Sequence, residues 1–217
     1  MIPTPDLSHL SRKDYDDVYE PAEDTFVLLD ALEQEAPKLK SLNPAVCLEI
    51  GSGSGCVSAF LSRVLEPLVV LHLCTDINPI AARCTVSTGL QNKVSLNAMI
   101  SDLASPLSFR LHGKVDVILF NPPYVPTWSE EADEAQERHG IAGSWAGGLS
   151  GMEVTDRFLK TVDQLLSPQG VFYLVAIKEN NVPELRSGMQ SRFQLQSEIV
   201  LQRRAGREHL YTIKFFR

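Results

Sequence analysis

Glu49, Asp76, Asp102 and Asn121 each stand at the end of a short apolar run. After the first comes the loop Gly51-Ser52-Gly53-Ser54-Gly55, whose glycines let backbone approach a ligand closely. Carboxylates and an amide gathered there would accept hydrogen bonds from hydroxyl and amino groups. The loop departs from the dinucleotide pattern G-x-G-x-x-G, because its third glycine comes one residue early and position 56 is Cys. It also lacks the Lys-Ser/Thr of a phosphate-binding loop. Glu49 would repel a pyrophosphate but suits a cation, either an amine or a sulfonium. Asp76 is placed to accept from ribose hydroxyls, and Asp102, with Leu103 beside it, from an adenine amino group. Singly, each acid reads as a solvated strand end or a helix cap. Together, in order on one rim, they describe a pocket.

The fourth run ends on Asn121-Pro122-Pro123-Tyr124. Proline cannot donate to a β ladder and biases the preceding residue toward extended backbone, so Pro122 and Pro123 stop the strand and stiffen the segment beyond it. A strand stop alone would explain the prolines. It would not explain why an amide and a phenol flank them.

The elements that must position these residues alternate from residue 45 onward. Strands are expected at 45–51, 68–76, 93–102, 114–123 and 170–180, with helices at 56–65, 78–90, 153–166 and 182–190. Asn78 and Pro79 open the second helix, and Pro168 follows the third. The runs 193–202 and 208–217 are too close in sequence for a parallel crossover, so they form an antiparallel hairpin. The pattern is an α/β doubly wound sheet, mostly parallel, with ligands beyond the carboxyl ends of its strands.

Composition narrows the class. The 217 residues, 44% hydrophobic, suit a single domain, with 1–44 as an N-terminal segment and 45–217 as the core. Twenty basic against 27 acidic residues leave a net charge of −7, which makes free nucleic acid an unlikely sole substrate. Cys47, Cys56, Cys74 and Cys84 form no C-x-x-C pair and the histidines are scattered, so reduced buried thiols are expected and no metal site. Neither a membrane span nor an apolar signal core is evident, which reads as a soluble intracellular protein with no membrane partner. The acidic and glycine-rich stretch at about 124–150 has the length of a lid or binding loop.

The E-x-G-x-G-x-G loop, the Asp of "CTDINP", the "SDL" at 101–103 and the closing hairpin resemble a Rossmann-like class I methyltransferase that uses S-adenosylmethionine. "NPPY" narrows the resemblance to amino and amide methyltransferases. "YEPAEDTF" at 19–26 and "WAGGLSGMEVTDRF" at 145–158 extend it to the HemK/PrmC-like release factor glutamine methyltransferases in their short eukaryotic and archaeal form. The resemblance implies a seven-stranded sheet and S-adenosylmethionine as cofactor. It implies a cofactor site of Thr25, Glu49, Gly51, Gly53, Asp76, Asp102, Leu103 and Asn121, with Thr25 brought by the N-terminal segment. It further implies catalysis by Asn121, Pro122, Pro123 and Tyr124, and a location in the cytoplasm with a nuclear pool besides. The bacterial members' helical N-terminal domain is missing, and the short relatives are complexes with a small zinc-binding activator subunit.

An amide nitrogen is a poor nucleophile because its lone pair is delocalised. The Asn121 side-chain oxygen and the Pro122 carbonyl can each accept one N–H of a target NH2, fixing its plane and stabilising the charge that grows on nitrogen. Tyr124 offers a ring face to the planar target or the sulfonium. The leading expectation is methylation of a glutamine side chain in a translation release factor. Methylation of histone lysine or DNA adenine in the same pocket is the alternative, and a non-catalytic stabilising subunit is a third reading. The uncharged run after Lys93, within 93–101, is expected at the sheet edge, where the activator would add a strand and form a heterodimer.

Overall fold

The computed structural model describes residues 1–127, 144, 147, 148 and 150–217. Most of the 124–150 stretch expected to be a lid or binding loop therefore lies outside the described residues, as do Trp145, Ala146 and Leu149. Helices, numbered over the described residues, are α1 (Arg12–Tyr15), α2 (Glu23–Gln34), α3 (Ala36–Leu42), α4 (Cys56–Leu65), α5 (Pro79–Gln91), α6 (Glu153–Leu165) and α7 (Val182–Phe193). Strands are β1 (Val46–Ile50), β2 (Leu71–Asp76), β3 (Leu96–Ile100), β4 (Val115–Phe120), β5 (Leu166–Ile177), β6 (Gln196–Ala205) and β7 (Glu208–Phe216).

The seven described strands form one sheet in the order β3-β2-β1-β4-β5-β7-β6. The first five run parallel, and β7 is antiparallel to both β5 and β6. This is the expected α/β sheet with its terminal hairpin, and β3 lies at an edge. Side chains alternate between two buried faces. On one, Ile118, Phe120, Phe172, Leu174 and Phe215 pack against α6 and α7; on the other, Val117, Leu119, Tyr173 and Val175 pack against α2 and α4. A file of rings, Phe120–Phe158–Phe172–Phe215, with centroids 5.2, 5.7 and 5.6 Å apart, stiffens β4 up to the residue before Asn121. All four cysteines are free and buried, as expected of reduced thiols.

Several elements differ from the sequence reading: β2 and β3 each begin three residues later than expected, β3 ends at Ile100 rather than at 102, and β4 stops at Phe120 rather than at 123. The third helix ends at Leu165, and β5 begins at once at Leu166 rather than at 170. Pro168 is exposed where the β4–β5 register shifts, and a bulge tolerates a proline's missing N–H. The N-terminal segment, given no helices from sequence, carries three of them. In α2 the buried stripe is Asp24, Val27, Leu28, Ala31 and Leu32, a helical repeat that lays it against the sheet.

The segment before α2 is strapped to α5. The Asn92 side chain bonds Asp6 through both its atoms (2.8 and 2.9 Å), Gln91 donates to the Asp6 carboxylate (2.6 Å), and Asn78 donates to the Asp17 carbonyl (2.8 Å). These bonds carry the chain over the carboxyl end of the sheet. None of the helices among the described residues is long and apolar enough to cross a membrane.

Candidate active site

A cleft with about 1000 Å³ of empty space, part of it open to solvent, lies beyond the carboxyl ends of β1, β2, β3 and β4. Its lining includes Thr25, Glu49, Gly51, Gly53, Asp76, Asp102, Leu103, Asn121 and Pro123, so nearly all the residues singled out from sequence converge there. Asp17, Val18, Tyr19 and Asp24 close it from the N-terminal side.

The glycine loop is held in shape by its neighbours. Gly51 and Ser52 donate to the Thr75 carbonyl (2.8 and 3.1 Å), and Gly53 donates to Asp76 Oδ2 (2.8 Å). Gly55, at φ +78°, has no room for a side chain, since a Cβ there would come within 2.8 Å of Thr85 Cα. Asp76 also accepts from the Asn78 N–H through Oδ1 (2.8 Å), so each oxygen keeps one further lone pair for a ligand. Its carboxyl is pushed up by burial and held back by those two N–H groups.

Glu49 receives the Ser58 N–H (3.0 Å) and the Ser58 hydroxyl on Oε2, anchoring the first turn of α4. Burial pushes its carboxyl up to about 8. A cation brought against it would reverse that shift. Asp102 is half exposed and ion-paired with Arg157 of α6, while Leu103 holds a left-handed backbone at φ +51°. An adenine acceptor role would therefore be shared with a guanidinium, a pairing that sequence could not show.

Asn121 carries the most informative geometry. Its Nδ2 donates to Asp24 Oδ2 (2.9 Å), whereas its Oδ1 is buried and has no partner among the described residues. A buried acceptor left unpaired costs about 1–3 kcal/mol. Here the amide is paired through Nδ2, and Asn121 itself lines the cleft. Asp24 is only 4% exposed and accepts as well from the Thr25 N–H (2.8 Å) and the Tyr19 hydroxyl (3.2 Å). Sequence reasoning reaches Thr25 and passes over Asp24 beside it.

Pro122 and Tyr124 are buried and do not line the cleft. Tyr124 packs among Val27, Leu28 and Val175, and its phenol is pushed up by burial and then by the charge of Asp24. Behind it lies the glycine segment. A Cβ on Gly151 would sit 2.0 Å from the Tyr124 carbonyl, and one on Gly147 would sit 2.6 Å from the Pro123 carbonyl. Asn180 donates to the Tyr124 carbonyl (3.3 Å), and the Gly147 N–H to that of Val125 (2.9 Å). The prolines and Tyr124 are thus set from behind by backbone that only glycine allows to come so near.

This arrangement can hold a cation, ribose hydroxyls and a planar amino group in one cleft. Comparison with known proteins agrees. Residues 23–138 match the family model "Methyltransferase small domain". The chain is 51% identical to Methyltransferase HEMK2 of Homo sapiens over 98% of this chain and 95% of that protein. It is 42% identical to "eRF1 methyltransferase catalytic subunit mtq2" of Schizosaccharomyces pombe over 100% and 96%. Among solved structures, the E. cuniculi Mtq2–Trm112 complex, described as methylating the eRF1 translation termination factor, superposes with TM-score 0.67 and 28% identity, covering 93% of this chain and 99% of that one. By this family match and these identities, the chain belongs to the methyltransferase small-domain family, in its HemK/PrmC-like branch.

Proposed function

We propose that the chain is an S-adenosylmethionine-dependent methyltransferase acting on the side-chain amide of a glutamine in a translation release factor, with residues 1–217 serving as one catalytic domain. The observation that carries this reading is the buried Asn121 Oδ1, without a partner among the described residues, with the Nδ2 of the same amide fixed on Asp24. Relatives named for eRF1 methylation supply the substrate class.

The cofactor, when bound, supplies an electrophilic methyl group on a sulfonium. The cleft fits it. Glu49 would face the cationic end, Asp76 has lone pairs for the ribose, the Gly51–Gly53 backbone would allow close approach, and Thr25, Asp102 and Leu103 would close the remaining sides. Asn121 Oδ1 accepts an N–H of the target amide, which holds the nitrogen with its lone pair facing the methyl donor. As the nitrogen–methyl bond formed and the sulfur–methyl bond broke, positive charge would grow on that nitrogen until one of its protons passed to solvent. Asn121 stabilises it, more strongly because the Asp24 carboxylate polarises the same amide through Nδ2. Tyr19 and Tyr124 stay protonated beside Asp24, both pushed up by burial first.

The partner is a small zinc-binding activator that adds to β3. Supporting this, β3 is a five-residue edge strand whose Ile100 is 63% exposed, and Leu90 on the neighbouring α5 is 76% exposed. Substituting Ile100→Asp should weaken partner binding while leaving cofactor affinity within about threefold.

The central experiment is radiolabelled methyl transfer to release factor, histone and DNA, with and without partner. Wild-type protein should label the release factor, and Asn121→Ala should lose about 10²-fold or more while still binding cofactor. Labelling of histone or DNA instead would move the substrate assignment to lysine or adenine, and near wild-type turnover by Asn121→Ala would overturn the mechanism.

A further inference from the structure

The strap of chain before α2 runs back along α5 from its last turn to its cap, and it bonds to both halves of the site. On the cofactor side the link passes through Thr88 of α5, whose hydroxyl donates to the Ser54 carbonyl of the glycine loop (2.6 Å). That hydroxyl has no second proton to give. His9 of the strap therefore donates to Thr88 Oγ1 from Nε2 (3.1 Å), and the strap holds the loop through one side chain.

On the reaction side the strap ends in Asp17-Val18-Tyr19. Asn78, which caps α5, donates to the Asp17 carbonyl (2.8 Å), and Val18, 2% exposed, packs on Ala81 and Cys84. Residues 17 and 18 are thus pinned to α5 by a polar and an apolar contact at once. Tyr19 follows directly, stands in the wall of the cofactor cleft and places its hydroxyl on Asp24 Oδ1 (3.2 Å). Burial and then the charge of Asp24 push its phenol up, so this donor keeps its proton.

Asp24 passes that constraint on. A carboxylate only accepts, so Asn121 must turn its NH2 to Asp24 Oδ2 and leave its carbonyl oxygen free. Where the carboxylate lies therefore decides how the Asn121 amide faces. The Thr25 N–H bonds the same Oδ1, but it comes from the adjoining residue, and one local bond leaves the carboxylate free to turn about it. Tyr124 also bears on Asp24, yet it sits three residues beyond Asn121 and moves with the group to be oriented. Tyr19 is the donor that reaches Asp24 from a separately anchored element.

We propose that Tyr19 is a positioning residue for methyl transfer, which holds the Asp24 carboxylate against Asn121 and is itself held by docking of the strap on α5; this rests on the role given to Asn121 above. The glycine loop and the catalytic amide then share one brace, and a loosened strap slows the reaction even when the cofactor site is full.

Two measurements test it. In the first, the side-chain amide of Asn121 is followed by 15N NMR, its signal identified by its absence in Asn121→Ala. The signal should shift in Tyr19→Phe and in Asp6→Ala/His9→Ala, with the Asn43 side chain as the control. An Asn121 signal that does not move in Tyr19→Phe overturns the proposal, whatever the substrate proves to be. In the second, single-turnover methylation of release factor at saturating cofactor should fall about tenfold in Tyr19→Phe, the worth of one hydrogen bond to a charged group. The same substitution made in Asn121→Ala should cost less than about twofold, because both changes act on one amide. Losses that multiply overturn the proposal, as does a Tyr19→Phe defect confined to cofactor affinity. Asp6→Ala/His9→Ala should slow the wild type by about threefold and leave Tyr19→Phe unchanged; a full rate in the strap variant overturns the part given to the strap. Wild-type protein whose Asn121 signal responds as expected but that leaves release factor unmethylated refutes the substrate reading and keeps Tyr19 as the residue that positions Asn121.

Discussion

Replacing Asp24 with Asn should harm the enzyme more than replacing it with Ala, although Asn is the closer match in shape. Asp24 Oδ1 accepts from the Thr25 N–H and the Tyr19 hydroxyl, and Oδ2 accepts from Asn121 Nδ2. In Asp24→Asn the two donors keep the oxygen on their side, which turns the new NH2 group toward Asn121. Two NH2 groups cannot face each other, so the Asn121 amide rotates by half a turn. Its Oδ1 then accepts from residue 24, and its own NH2 points at the substrate nitrogen. The balance between the two orientations is one hydrogen bond, about 1 kcal/mol, plus one orphaned polar group, about 1–3 kcal/mol. Every 1.36 kcal/mol is tenfold, so the productive orientation falls by about 30- to 10³-fold. In Asp24→Ala neither orientation is preferred, and the loss should stop near tenfold. Single-turnover methyl transfer at saturating cofactor reads the difference, with calorimetric cofactor affinity and thermal melting as controls, because Asp24 also lines the cleft. The double variant Asp24→Asn/Asn121→Asp restores an acceptor facing the substrate and should recover at least about tenfold over Asp24→Asn. Equal rates for Asp24→Asn and Asp24→Ala, or no recovery in the double variant, would refute the orientation argument.

The same geometry sets further outcomes. Glu49 is raised to about 8 when folded against an ordinary 4.5, so its contribution to stability is complete below about 4.5 and is lost as pH rises through about 8; Glu49→Gln should melt progressively higher than wild type from pH 5 to 9, whereas its deficit in cofactor affinity should widen over the same range, and parallel pH profiles would contradict this. Gly151→Ala would press a Cβ to 2.0 Å from the Tyr124 carbonyl, so kcat should drop by about 10²-fold with cofactor affinity nearly unchanged, as isothermal titration beside turnover would show. Asp76→Ala should weaken cofactor binding by about 1.5–3 kcal/mol and also lower the melting point, since it releases the Gly53 and Asn78 N–H groups; calorimetric affinity equal to wild type would remove Asp76 from the site.

The rim was legible because a parallel sheet collects the ends of its strands in one place: Glu49 and Asp76 lie at the ends of β1 and β2, Asn121 follows β4, and Asp102 stands two residues beyond β3. Asp24 was within reach of the same reasoning. It falls on the α2 stripe with Val27, Leu28 and Ala31, and a carboxylate on an apolar stripe asks for a partner. Without a helix assigned to residues 23–34, that stripe could not be seen. Pairings between distant elements stay hidden in any sequence pattern: Asp102 reaches Arg157 and Asn121 reaches Asp24 only because the fold brings them together. The burial of Pro122 and Tyr124 depends likewise on Gly147 and Gly151 coming up behind them.

The position of β7 bears on how the chain is made. This last strand is not appended to the sheet but inserted between β5 and β6, and its Lys214 ties to Glu35 near the start of α3 (2.5 Å). Until residues 208–216 leave the ribosome, β5 has one open side, and Phe172 and Leu174 lack their cover from Phe215 and Ile213. The nascent protein therefore carries an unpaired, strongly apolar strand until β7 has been made and has emerged, the state in which aggregation competes with folding. The sheet closes only when residues 208–216 take their place between β5 and β6, so a chain without them is a client for chaperones and proteases rather than a weaker enzyme.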